Sequence, residues 1–169
     1  MNILAGRFKG FPIKTTSKMP YRPTKSRVRK SLFDKMILFN YDTVLDLFSG
    51  SGIMGFEAAS RGASKITFVE KHSKSLNFIR DNSTKFNGID FNFIKTDVFT
   101  YLKNSINFDL IFADPPYGRF DLEPLTISIL EHLNRNGKFI LECEKNQQSF
   151  LDADVSDYGD TRILTWTNS

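Results

Sequence analysis

The sequence predicts an α/β fold, in which a small basic amino-terminal hairpin and helix precede a mainly parallel, seven-stranded sheet with an antiparallel carboxyl-terminal strand. Three observations predict it. From Asp42 onward, short apolar runs alternate with stretches of helical periodicity, as right-handed βαβ crossovers require. Five of those runs are apolar enough for strands covered on both faces. Near the end, Gly159 divides two strand-like runs, as expected of a closing antiparallel pair. With 169 residues, 40% of them hydrophobic, the chain suits one domain over residues 1–169, of which residues 1–40 form a basic extension.

The elements follow in order. In "MNILAGRFKGFPIKT", apolar alternation broken at Gly6, Gly10 and Pro12 predicts a hairpin carrying Arg7, Lys9 and Lys14. "SKMPYRP" reads as a loop, and Thr24 as the cap of a helix over "KSRVRKSLFDKMILF". Val28, Leu32, Met36 and Phe39 recur there at helical spacing, which places Lys25, Arg29 and Lys30 outside. "TVLDLF" is the first sheet strand, followed by a helix from about Ile53. Then come "KITFVE", a helix over "SKSLNFIRDNSTKF", "FNFIKT", and a short helix near "VFTYLK". "FDLIFA", a helix over "LEPLTISILEHLN", "GKFILECE" and the paired runs of "VSDYGDTRILTW" complete the chain.

Charge is segregated. Residues 1–33 hold nine Lys or Arg and no acid, which leaves 14 bases against 19 acids in the remainder. A basic arm on an acidic body points to a polyanionic partner met through the amino-terminal end. No apolar stretch approaches 18 residues and no charged-then-apolar leader is readable, so the expectation is a cytoplasmic protein without a membrane partner. Cys143, the single cysteine, reads as a buried inert thiol, and Trp166 as core. His72 and His132 fall on predicted helical segments without partner spacing and are expected to be exposed; no Cys/His cluster suggests a metal.

Two motifs carry chemistry. In "VLDLFSGSGIMGFEAASRGA", Gly50, Gly52 and Gly55 lie where a strand turns into a helix, and Glu70 ends the next strand 20 residues after Gly50. An acid there can accept hydrogen bonds from both ribose hydroxyls of a nucleotide cofactor, and a nicotinamide dinucleotide fits these residues alone. Asp46 points elsewhere. A carboxylate beside the turn opposes a pyrophosphate but suits a cationic ligand such as the ammonium of S-adenosylmethionine. Asp97, at the end of "FIKTD", can accept from an adenine amino group or simply cap the next helix. Asp46, Glu70, Asp97 and Asp114 all fall at strand ends, on the rim where open α/β sheets bind ligands.

The second motif is "DPPY". An exocyclic amino group of a nucleobase is a poor nucleophile, because its lone pair is delocalised into the ring. Attack on a methyl group requires its hydrogens to be held and its lone pair to be aimed. Asp114 can accept one hydrogen and the Pro115 carbonyl another, with the prolines fixing the backbone and Tyr117 able to stack on an extruded base.

"DLFSGSGIMGFEA" with "DPPY" resembles the amino-methylating class I S-adenosylmethionine-dependent methyltransferases, whose fold is Rossmann-like. Together with "ILAGRFKGFPI", "RPTKSRVRKSLF", "SRGA", "FVEK", Asn82 and "YGDTRILTW", the chain resembles, over nearly its whole length, the ribosomal RNA small subunit methyltransferase D family. That resemblance implies methylation of the 2-amino group of one guanine in 16S ribosomal RNA, on the small subunit or its assembly intermediate, by a monomer. It implies that Asp46, Ser49, Gly50 and Gly52 hold the methionine end of S-adenosylmethionine, Glu70 its ribose, and Asp97 and Val98 its adenine. Asp114, Pro115, Pro116 and Tyr117 become the target-base clamp, and Arg7, Lys9, Arg22, Thr24, Arg27 and Arg29 the RNA-facing set. Asn2, Ser26 and Lys30 depart from the family pattern, which has a base, an acid and a glutamate there. Amino methylation of DNA and a non-catalytic RNA-binding assembly role are the competing readings.

Overall fold

In the computed structural model, which describes residues 1–15, 25–36 and 38–169, seven strands make one sheet. They are β1 (Thr43–Leu47), β2 (Lys65–Val69), β3 (Asp90–Ile94), β4 (Phe108–Ala113), β5 (Leu133–Glu144), β6 (Asp154–Tyr158) and β7 (Thr161–Thr167). Their order is β3-β2-β1-β4-β5-β7-β6, with β1 through β5 parallel and the last two pairings antiparallel. The order reverses between β1 and β4, and the segments leaving these two neighbouring strands open the crevice in which such sheets bind ligands.

The helices are α1 (Ser26–Asp34), α2 (Ile53–Arg61), α3 (Ser73–Ser83), α4 (Val98–Tyr101) and α5 (Leu122–Leu130). Helix α1 is shorter than its apolar spacing predicts. It ends at Asp34, and Met36 and Phe39 reach the core from the segment beyond. Strand β5 in turn begins earlier than "GKFILECE", because Leu133 already pairs with Phe108 across a register shift.

Two apolar layers flank the sheet. On one face the phenylalanines interlock: Phe56 stacks on Phe86 at 4.8 Å, and Phe68 lies 5.1 Å from Phe56 and 6.0 Å from Phe93. Each such pair contributes roughly 0.5–1.5 kcal/mol beyond its area burial. On the other face Phe139 stacks on Trp166 at 5.2 Å, and Trp166 donates its indole N–H to the Leu151 carbonyl. Trp166 and Cys143 are both buried, and burial pushes the Cys143 thiol up to about 12.

The amino-terminal segment folds on itself around an antiparallel bridge from Asn2 to Pro12, with Ile3 N–H donating to the Phe11 carbonyl and Ile13 N–H to that of Met1, and is held in place by α2 and α3. Glu57 of α2 accepts the Leu4 and Ala5 N–H groups, and Ser60 Oγ accepts the Phe8 N–H. Asn82 of α3 exchanges two 2.9 Å hydrogen bonds with the Lys14 backbone, as a strand partner would. Gly6, with φ +82°, runs so close to α2 that a Cβ there would sit 1.9 Å from the Ser60 carbonyl oxygen. Gly6 of "GRFKG" therefore follows from the helix beneath it.

Two expectations fail. Arg29 is fully buried, not outside: its guanidinium lies 3.4 Å from Glu57 and donates to the Asn2 carbonyl at 2.7 Å. His132 is also buried, with Nδ1 2.9 Å from the Ile106 carbonyl and Nε2 3.0 Å from the Leu102 carbonyl, so it clips loop backbone instead of facing solvent. His72 is exposed.

Candidate active site at the carboxyl rim of the sheet

Strand β1 ends at Leu47; Phe48, with φ +56°, starts the turn, and Gly50 and Gly52 continue it at φ +54° and +73°. Only glycine visits this left-handed region freely, so the two glycines let the chain double back from strand into α2. Ser49, buried, places its hydroxyl 2.6 Å from the Asp46 carbonyl and 3.1 Å from that of Val69.

The backbone donors of this turn are already in use. Gly50 N–H donates to Glu70 Oε2, Gly52 N–H to the Ser49 carbonyl, Ile53 N–H to Ser51 Oγ, and Gly55 N–H to Asp46 Oδ2. A phosphate-binding loop works by leaving such donors free for the anion. Here Glu70 and Asp46 take the Gly50 and Gly55 N–H groups and serine oxygens take those of Gly52 and Ile53, so a pyrophosphate would find these donors already engaged. This arrangement disfavours a dinucleotide and favours a cation beside hydroxyl donors. Asp46, deeply buried, is pushed up to about 8, chiefly by burial and further by Glu70, against the Gly55 hydrogen bond that pulls it down.

Glu70 leaves the end of β2, and its Oε1 accepts the His72 N–H at 2.8 Å. Both oxygens are thereby aimed by the backbone, and each keeps a lone pair for a hydroxyl. Asp97 realises the capping option. Its carboxylate accepts the Thr100 N–H at 2.9 Å and the Thr100 hydroxyl at 2.6 Å at the start of α4, and the hydroxyl bond first, then the N–H bond, holds it below the ordinary carboxylate range. Val98, buried, follows it on α4.

Asp114 follows the last residue of β4, beside the glycine turn. It is raised well above the ordinary carboxylate range, first by burial, then by Glu142 and Asp46. Tyr117 is pushed up to about 12 by burial and by Glu142, so its ring carries a neutral hydroxyl. Pro115, Pro116, Tyr117, Phe120 and Glu142 line a cavity of about 440 Å³. Glu142 is the residue that reading the sequence missed. It stands near the end of β5, and its position at a strand end, the feature shared by the four rim acids, could have found it.

The basic set divides. Arg7, Lys9 and Arg27 are exposed, while Arg29 is enclosed with Glu57 and cannot present its charge to a polyanion. Arg22 and Thr24 lie outside the described residues. Arg7 and Lys9 sit against Ser60, near the end of α2 remote from Gly52, about 12 Å along the helix at 1.5 Å per residue. Helix α1 also starts at the rim: Ser31 meets Tyr158 near the carboxyl end of β6, whereas Lys35 meets Ser156 further back, so Arg27, near the start of α1, lies toward the rim. Lys30, one of the departures from the family pattern, pairs with Asp34 on the exposed side of α1.

Comparison with known proteins agrees with this architecture. The family described as Conserved hypothetical protein 95 matches residues 1–163. The ribosomal RNA small subunit methyltransferase D of Buchnera aphidicola is 33% identical over 151 residues, covering 86% of this chain and 78% of its own. A Thermus thermophilus hypothetical protein superposes with a TM-score of 0.86 at 27% identity, over 98% of each chain. The Thermus thermophilus 16S rRNA N2 G1207 methyltransferase, solved with AdoMet and guanosine, shares the fold at a TM-score of 0.73 and 17% identity, over 90% of this chain and 45% of its own.

Proposed function

The chain belongs to the family described as Conserved hypothetical protein 95, and on that premise we propose that it methylates the 2-amino group of a guanine in 16S ribosomal RNA, on the small subunit or its assembly intermediate. It is a methyltransferase and its cofactor is S-adenosylmethionine. The observation that carries the reading is the placement of Asp114-Pro115-Pro116-Tyr117 at the end of β4, directly beside the acid-saturated glycine turn that ends β1.

The residues present fit the cofactor. Asp46, Ser49, Gly50 and Gly52 would hold its methionine end, Glu70 its ribose, and Asp97 and Val98 its adenine. When bound, it supplies a methyl group activated by a positively charged sulfur. The chain's own residues do the rest. Asp114 accepts one hydrogen of the target amino group and the Pro115 carbonyl the other, which turns the nitrogen lone pair out of conjugation with the ring. Pro116 stiffens that turn and Tyr117 backs the base. Arg27, toward the rim, meets phosphate near the clamp, and Arg7 and Lys9, at the far end of α2, meet phosphates further from it.

The elevated Asp46 gives a pH dependence. Its folded-state value, about 8, lies above the ordinary 3.8, so the stability it contributes is present below about 4 and is lost as pH rises through 8. A cationic ammonium favours the ionised form. Asp46 therefore gives up close to one proton when the cofactor binds at pH 6.5, measurable by calorimetry in two buffers of different ionisation heat, and Asp46→Asn abolishes that release. Arg27→Ala weakens binding to the RNA and lowers the slope of log affinity against log salt by about 1.

The function is tested with small subunits from cells lacking the protein, incubated with enzyme and cofactor carrying a radiolabelled methyl group. One guanine bearing the label on its 2-amino group is the expected product. Subunit RNA left unlabelled, or label found on an adenine or cytosine, overturns the reading.

A further inference from the structure

Glu142 stands beside Asp114. Strands β4 and β5 are parallel, with Phe112 opposite Ile140 and Ala113 opposite Leu141, so Asp114 and Glu142 occupy the next level of the ladder. Side chains alternate along a strand, which puts Asp114 on the face of Phe112 and Glu142 on the face of Ile140, and both of those residues belong to the same apolar layer. Asp46, opposite Phe112 on β1, projects to this face as well. Three carboxylates thus crowd one corner of the rim, and two of them, Asp114 and Glu142, lie at one level on adjacent strands about 4.8 Å apart.

We propose that Glu142 is the residue that reads the target as guanine, accepting the ring N1–H while Asp114 holds the adjacent 2-amino group. This rests on the cavity beside Asp114 being the acceptor pocket. The chemistry is selective. Guanine is the base that presents a ring N–H next to its exocyclic amino group, two donors in a row on one edge. Adenine and cytosine present a bare ring nitrogen beside the amino group, an acceptor that a carboxylate repels. Two neighbouring carboxylates repel each other and suit a pair of donors, and Glu142 is, after burial, the next cause that raises Asp114. Glu142 lines the same cavity as Pro115, Pro116 and Tyr117, which places it within the clamp, not behind it. The amino group alone would not separate guanine from adenine or cytosine. A second carboxylate at this level does.

The test uses small subunits assembled with 16S RNA in which the mapped target guanine is replaced by 2-aminopurine, a base that keeps the 2-amino group but has a bare N1. Wild-type enzyme should methylate it about 10- to 100-fold more slowly than guanine, the loss expected when a charged acceptor faces a lone pair instead of an N–H. Glu142→Gln should slow guanine methylation and bring the two substrates closer together, because a carboxamide can donate to the bare nitrogen. Unchanged cofactor binding by Glu142→Gln shows that the variant is folded. Equal wild-type rates on both bases overturn the inference, as does a Glu142→Gln enzyme with an unaltered preference. If wild-type enzyme places no methyl on the guanine 2-amino group at all, the underlying reading falls with it.

Discussion

Asp114→Ala lowers methyl transfer to small subunits by about 10²- to 10³-fold or more while S-adenosylmethionine still binds, as calorimetry and a radiolabelled-methyl assay will show side by side. The expectation follows from where the carboxylate stands. It is adjacent to the glycine turn but accepts none of that turn's N–H groups, which go to Glu70, Ser49, Ser51 and Asp46. Its removal therefore leaves the cofactor's supports in place. What is lost is the acceptor that aims the amino lone pair. Asp114→Asn should retain part of the activity, because a carboxamide oxygen can still accept. Both variants should melt at or above the wild-type temperature. Burial and two like charges hold Asp114 well above its ordinary range, so the folded chain tolerates this acid at a cost that function alone explains. A cofactor-binding defect in Asp114→Ala equal to its catalytic defect would sink the clamp assignment.

The second large effect is on stability. Glu57→Ala destabilises the protein by about 3–5 kcal/mol, the cost of stranding a buried charge, read as a lower urea midpoint with little change in slope. Arg29 and Glu57 are both fully buried; burial pulls the Arg29 guanidinium below its ordinary range, Glu57 opposes that pull, and Arg61 adds to it. Glu57 also accepts the Leu4 and Ala5 N–H groups and the Arg61 side chain at 3.0 Å, so truncation strands two backbone donors and the Arg29 guanidinium and leaves Arg61 with Asp34 alone among the described residues. Replacing both partners, Arg29→Met with Glu57→Leu, should restore part of the loss. A double variant no better than Glu57→Ala would place the cost in the two backbone N–H groups and not in the stranded cation.

The sheet was legible because its central strands are buried on both faces and announce themselves as apolar runs such as "TVLDLF" and "FDLIFA". The glycine turn was legible because positive φ restricts the choice of residue. Asp46 alone spoke for its specificity in the sequence; that Glu70 and Asp46 accept the Gly50 and Gly55 N–H groups is a tertiary fact. Arg29 misled for the same kind of reason. Its counter-ion is Glu57, on the next helix, and nothing local marks a basic residue in a basic stretch as the buried one. His132 bonds only to backbone carbonyls of Leu102 and Ile106, which every residue carries, so its burial left no trace in the side-chain pattern. Glu142 lay in plain view at a strand end, but its meaning depended on which strand stood beside β4, and strand order is decided by crossovers that periodicity does not reveal.

The docking of the first residues onto later helices also sets a timetable. Leu4 waits for Glu57, 53 positions on; Lys14 waits for Asn82, 68 positions on; and Ser31 waits for Tyr158, 127 positions on. Contacts of such sequence separation form late, because the intervening chain must be ordered before they can close. The basic stretch thus docks in stages, onto α2 through Glu57, onto α3 through Asn82, and onto the carboxyl-terminal hairpin through Tyr158 last.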